Sequence, residues 1–212
     1  MNCEKYKPTY ILIALNVGIY IYGAILGGNA LVTSNEVILQ WGQVNAAVLY
    51  GGAYYQLFTS MFIHASIYHL VGNLLFLLIF GLRGEEIFSL PEFLGIYIMG
   101  GLVGNVLSLA FGPGTIVQGV VVDPFVSVGA SGAIFSMFGA CVIYVRRSIK
   151  QSILGALVYG FFLLLLSTGP QTNDLAHVGG LAVGLLFGYF IAVNRKPGDQ
   201  YTLERSRSSI PF

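Results

Sequence analysis

The chain has 212 residues, 56% hydrophobic and only 9% charged, whereas a soluble domain carries about 25% charged residues, so a soluble fold is excluded and an all-α membrane protein is expected. A net charge of +1 without any basic block leaves nothing to track a phosphate backbone, so nucleic acid is not an expected partner and membrane lipid is. Two cysteines, Cys3 and Cys141, make neither a disulfide framework nor a metal knuckle, and no metal or other cofactor is expected.

Residues 1 to 8 carry Lys5 and Lys7 ahead of an apolar run from Tyr10 to Leu26, long enough to cross roughly 30 Å of hydrocarbon. A cleaved signal peptide has a shorter apolar core, so this run reads as a retained first helix. Residues 28 to 57 mix Asn29, Asn35 and Glu36 with Trp41, Tyr50, Tyr54 and Tyr55, as expected of a long, partly inserted outer loop whose aromatic side chains sit at the interface. Further spans are predicted over 67–82, 93–111, 131–145, 153–166 and 175–193, and residues 112–128 read as a turn-rich connection. With the N-terminus inside, all ten basic residues fall on the cytoplasmic side: Lys5, Lys7, Arg83, Arg146, Arg147, Lys150, Arg195, Lys196, Arg205 and Arg207. The expectation is a six-helix membrane domain over 1–194 with both termini cytoplasmic and a short polar tail over 195–212. The 28 glycines favour close helix contact, hence a compact bundle.

At about 1.5 Å per residue this topology puts Ser131, His177, His69 and Asn73 in the outer third of the bilayer. A serine in a membrane helix is usually interhelical glue, but a histidine in an apolar span is a functional-site hypothesis by default. His177, Gly180, Gly184 and Gly188 share one helical face, and Gly132, Ser136 and Ala140 form a matching small-residue stripe. These stripes would bring the Ser131 hydroxyl to the His177 imidazole, the nucleophile–base pair that acyl transfer requires. His69 and Asn73, four apart on one face, would join the Ser131 N–H as an oxyanion hole. Phe135, one turn after Ser131, could stack on the imidazole and favour its cation. Asp174 is expected to cap the last helix, and His64 to pack in a loop.

In this order, His64-x4-His69-x3-Asn73, Gly129-Ala130-Ser131-Gly132 and Ala176-His177-x2-Gly180-x3-Gly184 resemble the motifs of the rhomboid intramembrane serine proteases. The resemblance covers nearly the whole chain before Pro197 and implies a rhomboid-like bundle of the prokaryotic six-helix type. It implies Ser131 as nucleophile, His177 as general base, and His69, Asn73 and the Ser131 N–H as oxyanion donors. Gly129 would belong to the nucleophile motif, with Gly180 and Gly184 in support. The substrates implied are other transmembrane proteins, cut in or near their spans. Where many bacterial relatives carry Trp-Arg in the outer loop this chain has Tyr55-Gln56, and Phe135 stands where some relatives place tyrosine. The fifth helix and residues 167 to 174 are the expected gate. A transporter would need duplicated halves and a polar path through the inner leaflet, and neither is evident; a non-enzymatic adaptor would not need both dyad residues. The lack of an Arg/Ser-rich transit segment points to a prokaryotic plasma membrane.

Overall fold

The computed structural model describes residues 7–111, 115–117, 120–122, 126–148, 152–167 and 172–195. Helix α1 spans Pro8–Gly27, with proline in the first turn, where its missing N–H is not needed, and Gly28 closing it in the left-handed conformation. The segment between α1 and the next long helix is structured. It holds α2 (Asn35–Trp41), strand β1 (Gln43–Val44), α3 (Asn45–Gly51), α4 (Gln56–Thr59) and a 3-10 turn at Ser60–Phe62. Ser34 caps α2 by accepting the Val37 N–H. Helix α5 runs Ile67–Ile87 and α6 runs Leu90–Phe111.

The connection expected to be turns also carries short strands. Thr115–Val117 (β2) and Val120–Val122 (β3) pair antiparallel, and Val126–Ser127 (β4) pairs with β1, Gln43 opposite Ser127. Then come α7 (Ser131–Ser148), α8 (Ile153–Ser167) and α9 (Asp174–Asn194). Among the described residues four helices, α1, α5, α6 and α9, are long and apolar enough to cross a membrane. The molecule is a mostly helical integral membrane protein.

Several helices outrun their apolar runs. Arg83, expected in a loop, lies within α5, and Arg146 and Arg147 form the last turn of α7. A helix continues into the headgroup region because its backbone bonds do not depend on hydrocarbon, and long basic side chains reach the interface from its final turns. Lys5, Lys150, Lys196, Arg205, Arg207 and most of the polar tail lie outside the described residues.

Helix α7 is the axis of the bundle: residues 132 to 141 are buried on every side, against α5, α6, α8 and α9. Its partners supply Leu77 from α5 and Phe93, Ile96 and Tyr97 from α6, with Met61 and Phe62 from the 3-10 turn closing the same core. The α7–α9 contact is made backbone to backbone. A Cβ on Gly180 would run into the Gly132 carbonyl, one on Gly184 into that of Ser136, and one on Gly188 into that of Ala140. On the adjoining face Gly179 meets α6, where a Cβ would stand 2.9 Å from Gly104 Cα. Helix α8 is peripheral, leaning on Leu181 of α9 through Gly160 while Leu157, Phe161 and Phe162 face outward.

At the end of the bundle opposite Ser131, Arg195 ties four helices together. Its guanidinium donates to the Ile87 carbonyl ending α5 (2.6 Å) and to the Tyr144 hydroxyl of α7 (3.2 Å), and pairs with Glu92 of α6 at 2.6 Å.

The small-residue seam yields a stability test. Gly184→Ala places a methyl against backbone that cannot rotate away, so α7 and α9 must part, and a loss of about 1–3 kcal/mol is expected. Unfolding in detergent measures it; a variant as stable as the parent would show that the helices are not in backbone contact.

Candidate active site

Ser131 is the first residue of α7, where unpaired N–H groups and the positive end of the helix dipole gather. His177 lies one turn into α9 and is buried. Because the glycine seam begins three residues below it, the imidazole is drawn onto the start of α7. Nε2 of His177 stands 2.9 Å from Ser131 Oγ. Nδ1 has no hydrogen-bond partner among the described residues, so none of the described carboxylates orients the ring through it. Phe135 covers one face of it, ring centroids 4.5 Å apart and planes within 19°.

Ser66 caps α5 by accepting the His69 N–H at 3.2 Å and sets the start of the helix that carries His69 and Asn73. Both side chains approach Gly129, two residues before Ser131. A Cβ there would lie 2.8 Å from His69 Nε2 and 3.8 Å from Asn73 Nδ2. Gly129 has φ of 119° and its N–H donates to the Ser60 carbonyl at 2.9 Å. Conformation and crowding thus both require glycine. Asn73 gives one amide hydrogen to the His69 carbonyl at 3.0 Å, and among the described residues the second has no partner. His64 is buried with its ring edge-on to His69, centroids 5.2 Å apart.

The structure therefore brings Ser131, His177 and Phe135 into contact and sets His69, Asn73 and Gly129 beside them, with Gly180 and Gly184 in the seam below. Asp174 is a correction. The cap of α9 is Asn173, whose Oδ1 accepts the Ala176 N–H at 3.0 Å. Asp174 is the first helical residue, exposed, and accepts from Thr172. Of the expected gate, residues 168–171 lie outside the described residues.

A model of the Rhomboid domain matches residues 51–194, from the end of α3 through the end of α9. The chain belongs to the rhomboid family. At 31% identity over 157 residues it is similar to the RHOMBOID-like protein 6, mitochondrial, of Arabidopsis thaliana, covering 71% of this chain and 48% of that protein. At 30% over 191 residues it is similar to the Rhomboid protease GluP of Bacillus subtilis, covering 88% of this chain and 34% of that one. The Rhomboid-like protease 2 of Toxoplasma gondii is 22% identical over 89% of this chain. The rhomboid chain thus spans about half the length, or less, of the first two of these relatives.

A second set of polar residues, not anticipated from sequence, holds this rhomboid site in place. Gln43 donates to Asn45 Oδ1 (2.8 Å) and to the Asn105 carbonyl (3.0 Å), and Asn105 donates to Ser60 Oγ (2.9 Å) and the Leu57 carbonyl (2.7 Å). Gln56, standing in the departure from Trp-Arg, accepts the Val44 N–H and donates to the Leu39 and Gln40 carbonyls. Ser60, held this way, is the residue that receives the Gly129 N–H. One signal was visible: Asn105 interrupts an apolar span, and a polar side chain there needs a partner.

Gly129→Ala is expected to force the His69 ring away and strain the backbone, which together stand for about 1–3 kcal/mol. Unfolding in detergent measures the loss; a variant as stable as the parent would mean the His69 ring does not press on residue 129.

Proposed function

We propose that this rhomboid chain is an intramembrane serine endopeptidase that cleaves peptide bonds in or near transmembrane segments of other membrane proteins through a Ser131–His177 dyad. The observation that carries the reading is the 2.9 Å contact between Ser131 Oγ and His177 Nε2, made by two helices locked together through backbone. Such a separation lets a proton pass from hydroxyl to ring.

In this reading neutral His177, with its hydrogen on Nδ1, takes the Ser131 proton on Nε2 as Oγ attacks the scissile carbonyl carbon. The developing oxyanion is met by the Ser131 N–H, the free Asn73 amide hydrogen and the His69 ring. Collapse breaks the C–N bond, and the proton on Nε2 goes to the departing amine. Water then attacks the acyl-serine with His177 again as base and releases the carboxyl product. Phe135 supports the transient imidazolium through its ring face, worth about 0.5–2 kcal/mol. A helical substrate hides its carbonyls, so scission favours segments that unwind readily.

We further place all six long helices across the membrane with both termini cytoplasmic. Helix α8, with 15 residues, reaches about 22 Å at the usual rise and fits a locally thinned bilayer or a tilted neighbour. Residues 1–194 form the catalytic domain and 195–212 the cytoplasmic tail, and the distribution of basic residues supports an orientation with the site near the outer face.

Purified Ser131→Ala and His177→Ala variants should remain folded and lose turnover of a transmembrane substrate; unchanged cleavage by either would end the dyad reading. Asn73→Ala should lower the rate by roughly 10²–10³, and a drop of less than tenfold would return Asn73 to packing. Phe135→Ala should lower kcat by about tenfold, with Phe135→Tyr keeping most of it, since each ring presents a π face.

A further inference from the structure

Asn173 makes three hydrogen bonds, each to a different element. Its Oδ1 accepts the Ala176 N–H and so caps α9. Its Nδ2 donates to Ser108 Oγ near the outer end of α6 at 2.8 Å and to Ser127 Oγ in β4 at 2.6 Å. The Ala176 N–H can be met only by the amide oxygen, so the nitrogen must face the two serines. Every strong donor and acceptor position of the side chain that these partners address is occupied.

The placement matters more than the count. Asn173 precedes His177 by one turn at the start of α9, and its amide bonds Ser127 of β4, the strand that leads through Gly129 into Ser131. The amide thus ties the start of the helix that carries His177 to the strand just before Ser131. Both serines are themselves anchored. Ser127 lies opposite Gln43 in the β1–β4 pairing, and the Ser108 carbonyl accepts from Asn45 Nδ2 at 3.2 Å. Below His177 the glycine seam holds α9 against α7, but above it, among the described contacts, Asn173 is what joins the start of α9 to the Ser127 segment.

We propose that Asn173 is a positioning residue for the reaction: by binding Ser108 and Ser127 while capping α9, it sets where His177 stands relative to Ser131. The proposal rests on the dyad reading. A helix start freed of this tie can shift by a fraction of its pitch, enough to lengthen a 2.9 Å contact past proton-transfer range, and about 1 Å of misplacement can lower a rate by about 10²-fold.

The test uses the full chain in detergent and reads three quantities: the rate of Ser131 labelling by a fluorophosphonate, kcat and KM for a transmembrane substrate, and melting temperature. Asn173→Ala should lower the labelling rate and kcat by about 10–100-fold, with KM within about threefold. The Ser108→Ala/Ser127→Ala double variant, which leaves the cap intact, should do the same. Asn173→Asp should recover to within about fivefold, because a carboxylate still accepts the Ala176 N–H and both hydroxyls can rotate to donate to it. Arg195→Ala, which loosens the far end of the bundle, is the control for lost stability and should label at near the parent rate. Two results would overturn the proposal: parent-like labelling of both the Asn173→Ala and double-serine variants, or equal slowing by Arg195→Ala at a matched fall in melting temperature. Failure of the parent protein itself to be labelled would bring down the dyad reading instead.

Discussion

Helices in hydrocarbon gain nothing by hiding apolar side chains from one another, since lipid tails are just as apolar. The contact between α7 and α9 must therefore come from dispersion at short range and from weak backbone interactions, both of which vanish if the axes separate by the width of a methyl group. Gly180, Gly184 and Gly188 supply that closeness against Gly132, Ser136 and Ala140. Each glycine weakens the helix it sits in by about 1 kcal/mol relative to alanine, and the bundle recovers this only through contact. The position of His177 over Ser131 follows from the seam: the imidazole is the next group up the same face of α9, and α7 begins opposite it.

What the seam cannot do is hold the irregular chain above it. Residues 28 to 66 and 126 to 130 run irregularly over the end of the bundle that carries Ser131, where a buried N–H or carbonyl left unpaired costs several kcal/mol. Gln43, Asn45, Gln56 and Asn105 fill this need by bonding to backbone rather than to each other alone. Amides suit the task because one side chain both donates and accepts without carrying a charge that hydrocarbon would penalise. Through Ser60 and Gly129 the same network reaches the residue that His69 presses on, so loop anchoring and site geometry are parts of one structure.

The helices and the residues at the site were legible in the sequence for a common reason: each rests on a local pattern. Apolar length marks a span, and the three- and four-residue spacing of His177, Gly180, Gly184 and Gly188 marks a face. What was missed depends on distant partners. Strands of two or three residues, such as β1 and β4, exist only because Gln43 and Ser127 meet across the fold. Helix ends ran past the apolar windows because hydropathy reports where lipid stops, while the backbone ladder stops at a cap. Asp174 and Asn173 both have the chemistry of a cap in sequence; the position that caps α9 is Asn173, whose side chain also reaches Ser108 and Ser127.

The environment of His177 also bears on why a dyad would suffice here. A carboxylate at the imidazole would have to be buried near hydrocarbon, and the desolvation of such a group can exceed what its attraction returns. An aromatic face avoids that. Phe135 carries no charge to desolvate and lies parallel to the ring at 4.5 Å, where its π cloud favours the imidazolium that the proposed reaction forms. A carboxylate would also lock the orientation of the imidazole through Nδ1. Without one, orientation has to be supplied by the helix that carries the histidine, which makes the placement of the α9 start a matter of chemistry as well as of packing.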